Sequence, residues 1–377
     1  MTRQRTAEPV KCARTEEKRL LATARLNWLG QSLWLDDITR ELLDSGRLAK
    51  YIEEWSITGL TSNPTIFDHA ITYSDSYDRD IAHFLDRGLK GEALFFELAI
   101  ADLSRAADLF RPVHSRTATV DGWVSLEVSP LLAHDTPGTV ASAEALFAKA
   151  NKPNLFIKIP GTKEGLPAIE EGIWRGVPIN VTLLFSPEQY VAAADAYMRG
   201  LERRVEAKLS PDVRSVASLF VSRWDVAVAQ LSPDGLKNRL GLAIGKLAYK
   251  AYRDVLDSDR WQRLADFGAR PQRLLFASTA TKDPKASDTL YIDGLAAPDT
   301  VNTMPQATLK ATADHDAPAG VLARDGGDGA ATLAAFEQAG VGISALAERL
   351  QNDGAEAFVK SWRDLLSAID AKSKVMS

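Results

Sequence analysis

The chain has 377 residues, of which 45% are hydrophobic and 25% charged, and a net charge of −5. That composition supports a large buried core and excludes a chain disordered throughout. The lack of basic character also excludes a nucleic-acid partner held mainly by phosphate neutralisation, while the length fits either two average domains or one decorated αβ barrel.

Residues 1–25 are charged and lack the apolar core and cleavage site of a secretory signal, so they are expected to form an N-terminal extension to a single domain of residues 26–377. Cys12, the sole cysteine, permits no intrachain disulfide and fits a reducing compartment. No segment approaches the roughly 18 uncharged apolar residues of a membrane span. A cytoplasmic protein with no membrane partner is the expectation.

SLWLDD (32–37) predicts a short strand ending in two acids, and residues 38–55 predict an amphipathic helix with Leu42, Leu43, Leu48, Ile52 and Trp55 near helical spacing. ITGLTSNPTIF (57–67) predicts a second strand and its loop, closed by Asn-Pro. A largely helical insertion follows as far as Phe110, with a break near Gly88 to Gly91. Strands and helices then alternate: strand 122–128, helix 139–150, strand 154–159, helix 165–176, strand 177–185, helix 186–207 and strand 213–222. A longer helical region ends near Arg270, and strands 273–279 and 299–304 complete the set. Gly326, Gly327 and Gly329 in ARDGGDGA predict a turn rather than a phosphate cradle. The tail from about Ala330 to Ile369 predicts helices that pack back on the body, or close over it, through Phe336, Leu346, Leu350, Phe358, Trp362, Leu365 and Leu366.

Repeated βα units imply a parallel sheet, either open and doubly wound or closed. Eight strands favour closure, and the expected fold is α/β, a (β/α)8 TIM barrel with helical insertions and a helical C-terminal extension. No G-x-G-x-x-G follows the first strand and no P-loop sequence occurs, which removes the main support for a nucleotide cofactor. His69, His83, His114, His134 and His315 are scattered without a cysteine partner, so no metal site is expected.

In a barrel of this kind the active site lies at the C-terminal ends of the strands. NLFIKIPGT (154–162) places Lys158 in an apolar run, where a lysine faces solvent from an edge, threads its stem along apolar surface, or serves chemistry. Period-two alternation puts Phe156 and Lys158 on one face, opposite Leu155, Ile157 and Ile159. The same alternation groups Trp123, Ser125 and Glu127, sets Asn180 and Thr182 opposite Ile179, Val181 and Leu183, and joins Ser218 to Val216 and Phe220. Asp36 falls on the face of Trp34, and Asp37, on the other face, is expected to cap the following helix. A purely structural account needs every one of these polar groups, with Asn63, to be a satisfied core or rim group.

The segments WLDD, GLTSNPTIF, SLEVSP, LFIKIPGT, INVTLLFSPEQY, SLFVSRWD and NTMPQATL, in that order, resemble those of transaldolases in their longer bacterial form, from about Leu26 to Ile369. Members are class I aldolase-like (β/α)8 barrels that move a dihydroxyacetone unit between phosphorylated sugars in the pentose phosphate pathway. The resemblance implies that Lys158 forms a Schiff base with the donor ketose and that Asp36 is the acid–base group at the C4 hydroxyl. It further implies that Glu127, with a water ordered by Thr182, shuttles protons during imine formation, and that Asn63 and Asn180 hold sugar hydroxyls. The apolar run around Lys158 is expected to favour the neutral, nucleophilic amine. No cofactor is implied, because the protonated imine is itself the electron sink.

For phosphate, the resemblance implies Ser218 and Arg223 of SLFVSR, with Phe220 between them on the substrate wall, and Ser278 at the end of the seventh strand. Where shorter transaldolases carry a second arginine this chain has Ala280, and Lys282 is the nearest cation, either a replacement point charge or a solvated loop lysine. A fructose 6-phosphate aldolase using the same lysine is the nearest rival, and a non-catalytic sugar-phosphate-binding barrel the more distant one. Phosphorylated sugars are the expected partners, in a monomer or homodimer.

Overall fold

Eight apolar runs, each bounded by turn residues, become the eight strands of one closed parallel sheet in the computed structural model, which describes residues 21–376 apart from 233, 317 and 319. They are β1 (Ser32–Asp36), β2 (Ile57–Thr61), β3 (Trp123–Glu127), β4 (Leu155–Pro160), β5 (Ile179–Leu184), β6 (Ser215–Phe220), β7 (Gln272–Ala277) and β8 (Val301–Met304). β8 pairs with β1 to close the ring, so the fold is the expected α/β barrel. Both faces of each strand are covered, one by helices and one by the barrel's own filling, which is why the runs are almost continuously apolar. Most of the expected extension, with Cys12, lies outside the described residues, but residues 22–25 are already helical within Ala22–Trp28, where Ala22, Thr23 and Leu26 are buried.

Polar residues preceding proline start several helices at the strand ends. Asn63 caps Pro64–Thr72, its Oδ1 accepting from the Ile66 amide, and Ser186 caps Pro187–Glu206 through the Gln189 amide. Asn-Pro therefore opens a helix rather than completing a loop, a correction to the reading of residues 62–67. The segment read as one helix over 38–55 is two, Arg40–Asp44 and Arg47–Glu54, because Gly46 adopts a left-handed φ of 72° between them. Thr39, not Asp37, caps the first, its hydroxyl accepting from the Leu42 amide.

The lower half of the barrel is filled by aromatic side chains. Phe156 stacks on Trp123 at 4.2 Å and on Trp34 at 6.2 Å between ring centroids. Trp34 has room because its neighbour across the sheet is Gly59, where a Cβ would lie 2.5 Å from the indole. This plug separates the C-terminal ends of the strands from a smaller cavity at their N-terminal ends, which Ser32, Asp121, Ser215 and Arg273 line.

The C-terminal helix Ile343–Met376 returns across the barrel, burying Leu346, Leu350, Phe358, Trp362 and Leu365. Trp362 packs edge-on against Phe95 of the inserted helix Gly91–Arg116, with centroids 5.0 Å apart, and Thr65 and Ser361 share a hydrogen bond of 2.8 Å. Among the described residues no single helix is long and apolar enough to cross a membrane.

Candidate active site

A cavity of about 850 Å³ opens at the C-terminal end of the barrel. Asp36, Asn63, Lys158, Thr182, Ser218, Phe220, Arg223, Ser278 and Lys282 all line it, so side chains drawn from six strand ends or the loops after them converge on one volume. Glu127 and Asn180 lie one layer deeper and do not line it.

Strand register sets the central contact. Glu127 of β3 pairs with Lys158 of β4, which pairs in turn with Asn180 of β5. The Lys158 ammonium nitrogen stands 3.3 Å from Glu127 Oε2 and donates to the Ser62 carbonyl at 3.1 Å, with the Phe358 ring 5.6 Å away. The tip of this lysine therefore meets polar partners; the apolar neighbours Ile157 and Ile159 lie on the other face of the strand. Burial pushes the Glu127 carboxyl above its usual range, only partly offset by the nearby Lys158 charge and hydrogen bond, and the Asp36 carboxylate adds to the rise. Glu127 Oε1 and Thr182 Oγ1 are both buried without a hydrogen-bond partner, so each retains capacity for a small polar group.

Asp36 stands at the end of β1. Burial raises its pKa, and the Lys158 charge, a hydrogen bond from Thr61 at 2.8 Å and the Lys282 charge act in the opposite direction. With the Thr61 proton directed to an ionised Asp36, the hydroxyl of Thr303, 2.8 Å away on β8, is the donor to Thr61. Asp37 also lines the cavity and accepts from the Gln306 amide nitrogen.

The two asparagines differ. Asn63 spends its oxygen on the helix cap, which leaves its amide nitrogen to donate into the cavity. Asn180 is fully buried, donating to Ser125 Oγ at 3.1 Å and accepting from Ser218 Oγ at 2.7 Å. It braces Ser218 and the floor beneath Lys158 rather than reaching the opening. Thr182 precedes a break in β5, where Leu183 has a φ of 59° and the register with β6 shifts between Val181 and Leu184. Irregularities of this kind re-aim side chains at active sites.

Arg223 and Lys282 both line the opening. Arg223 lies over the Phe220 ring at 5.1 Å and has no carboxylate partner among the described residues; burial lowers its pKa. Ser278, with a φ of 55°, shares a 2.9 Å hydrogen bond with Ser222. Ala280 lines the wall, and Lys282 is close enough to Asp36 to act on its charge. Among the described residues no cluster of three or more His, Cys, Asp and Glu side chains is placed to hold a metal ion.

Thr61, Ser62, Thr303, Gln306 and Phe358 were not singled out as site residues by sequence reasoning. Threonine is a common β-branched strand residue, so Thr61 and Thr303 carry no distinct signal, and the place of Phe358 depends on how the terminal helix docks.

The family model described as Transaldolase/Fructose-6-phosphate aldolase matches residues 33–369. The chain is 47% identical to a transaldolase of Thermobifida fusca (strain YX), over 92% of this chain and 96% of that protein. It is 44% identical to a transaldolase of Parafrankia sp. (strain EAN1pec), over 91% and 96%, and 43% identical to transaldolase 2 of Streptomyces coelicolor, over 94% and 97%. With a match that takes in all eight strands and most of the terminal helix, the chain belongs to the transaldolase/fructose-6-phosphate aldolase family.

Proposed function

We propose that this protein is a transaldolase, which moves a dihydroxyacetone unit from fructose 6-phosphate or sedoheptulose 7-phosphate to glyceraldehyde 3-phosphate or erythrose 4-phosphate. The observation that carries the reading is the buried pair of Lys158 Nζ and Glu127 Oε2, 3.3 Å apart, at the floor of a cavity that also holds Asp36. A carboxylate whose pKa is raised by burial accepts the lysine proton more readily than a surface one, which frees the amine to attack a ketose C2 carbonyl. Glu127 then returns that proton as hydroxide leaves the carbinolamine, with a water held between its free oxygen and Thr182 as relay.

Asp36 takes the C4 hydroxyl proton, the C3–C4 bond breaks, and its electrons pass into the iminium on Lys158 to give the dihydroxyacetone enamine. The aldehyde product leaves, the acceptor aldehyde enters, and the same carboxyl returns a proton to the new alkoxide. Phe358, over the lysine, helps to exclude water from the enamine while the acceptor is exchanged. Asn63 donates to a sugar hydroxyl and Arg223 takes the phosphate, beside Ser218, which turns its hydroxyl proton from Asn180 to the phosphate when substrate is bound. Lys282, two residues beyond the Ala280 that stands where shorter family members carry arginine, supplies a second positive charge. The reading takes phosphorylated sugars as substrates, in the cytoplasm, with the protein a monomer or homodimer.

A coupled assay with fructose 6-phosphate separates this reading from simple aldol cleavage. Fast release of glyceraldehyde 3-phosphate only when erythrose 4-phosphate is present, matched by formation of sedoheptulose 7-phosphate, supports transfer. Equally fast release of free dihydroxyacetone without acceptor would instead assign the chain to the aldolase branch of its family.

A further inference from the structure

The guanidinium of Arg223 lies over the Phe220 ring, 5.1 Å from its centroid, and also close to Gly354 of the C-terminal helix. A Cβ on Gly354 would lie 3.1 Å from Arg223 Nη1, 3.1 Å from Leu183 Cδ2 and 3.5 Å from Phe185 Cζ. Contacts of 3.1 Å to a Cβ force the neighbour to give by a few tenths of an ångström, and here the helix is the less yielding side. One turn earlier, Gln351 Nε2 donates to the Gly161 carbonyl at 3.1 Å and the Leu183 carbonyl at 2.9 Å, which fastens the helix to the ends of β4 and β5. One turn later, Phe358 is buried against the site, and beyond it Thr65, Phe95 and Phe96 hold Ser361 and Trp362. Gln351, Gly354 and Phe358 thus form one stripe of a fixed helix at i, i+3 and i+7. Within that stripe the glycine gives up helix propensity at a buried position, and the space it leaves is taken by the arginine.

We propose that Gly354 is a positioning residue, which sets where the Arg223 guanidinium stands and thereby the enzyme's preference for phosphorylated over unphosphorylated substrates. The proposal rests on the reading above that Arg223 takes the substrate phosphate. It makes the C-terminal helix a wall of the phosphate subsite, since the helix fixes one side of an arginine that no carboxylate orients among the described residues. A displacement of a few tenths of an ångström misaligns both forked donors of a guanidinium while leaving the imine-forming lysine untouched.

The test is Gly354→Ala, measured beside Arg223→Ala and in an Arg223→Lys background. The constants read are the KM for fructose 6-phosphate and the half-saturating concentration of dihydroxyacetone, which carries no phosphate, for borohydride trapping. Gly354→Ala is expected to raise the KM about threefold to tenfold and to leave the dihydroxyacetone constant within about twofold. Once Arg223 is lysine, which lacks Nη1, the effect of Gly354→Ala on the KM is expected to fall to within about twofold, because only the contact with Leu183 remains. If Arg223→Ala raises the KM and Gly354→Ala does not, the inference is overturned while the phosphate role of Arg223 stands. Equal changes in both constants would also overturn it, because they would mark a general disturbance of the site. An unchanged KM in Arg223→Ala would remove the phosphate reading itself, and this inference with it. Should Gly354→Ala fail to fold, Leu183→Ala/Gly354→Ala removes the other close contact and is read by the same criteria.

Discussion

Lys158 and Glu127 face each other in register from adjacent strands, Nζ 3.3 Å from Oε2, at side-chain exposures of 6% and 4%. As a device for stability such a pair has little to offer, because the desolvation of two charges offsets most of their attraction. As a proton-transfer couple it is well arranged: the partner that accepts the proton is the one whose charged form burial disfavours. The proposed mechanism asks this pair to move one proton over one short distance, on strands that an aromatic plug packs beneath.

In the proposed mechanism Asp36 acts after the imine forms, so its removal separates two steps. Asp36→Asn is expected to lower turnover by about 10²- to 10⁴-fold, the usual contribution of a positioned acid–base group. Fructose 6-phosphate is still expected to be trapped on Lys158 of the variant by borohydride. Loss of trapping along with turnover would place Asp36 in imine formation instead.

The charge of Lys282 acts on Asp36 as well as on the proposed phosphate. As a base in donor cleavage Asp36 must be ionised, so activity is present above its raised pKa and is lost as pH falls through it. Lys282 is one of the groups that hold that pKa down. Lys282→Ala is therefore expected to move the acid limb of kcat/KM to higher pH. The KM for fructose 6-phosphate is expected to rise about tenfold, the scale of one lost charge-assisted hydrogen bond, with a smaller fall in turnover. An unchanged limb and KM would return Lys282 to the role of a solvated loop lysine.

The barrel floor can be tested through Gly59. The Trp34 indole beside it donates to Asp121 at 3.2 Å and stacks on Phe156, so it has no free direction in which to move. Gly59→Ala, with a Cβ 2.5 Å from the ring, is expected to lower stability by about 2 kcal/mol. Trp34→Phe in the same chain is expected to recover part of the loss in denaturant melts. An unchanged midpoint in Gly59→Ala would show that the floor is not packed as described.

The strands were the most legible part of the fold, because a parallel barrel requires continuous apolar runs and few other segments of this chain carry them. Lys158, Glu127 and Asp36 were legible for the converse reason, as charges that interrupt such runs. Two local features misled. Leu42, Leu43 and Leu48 keep helical spacing across the break at Gly46, since a left-handed glycine changes direction without disturbing the hydrophobic pattern. Asn-Pro was read as the end of an element, although the same two residues make a capped helix start. The irregularity at Leu183 had no local signal at all. Its carbonyl is bound by Gln351, 168 residues away, so the strand's geometry there depends on the docking of the terminal helix. The places of Phe358 and Gly354 follow from that same docking, and Asn180 is engaged by two serines whose own positions depend on register.

The central claim is that Lys158 forms an imine with the donor ketose. The direct measurement is reduction with borohydride in the presence of fructose 6-phosphate, followed by mass spectrometry of the peptide that contains Lys158. A reduced adduct on Lys158, absent from a folded Lys158→Met variant that has also lost turnover, is the predicted result. No adduct on the folded protein, or an adduct on another lysine with turnover surviving in Lys158→Met, would contradict it.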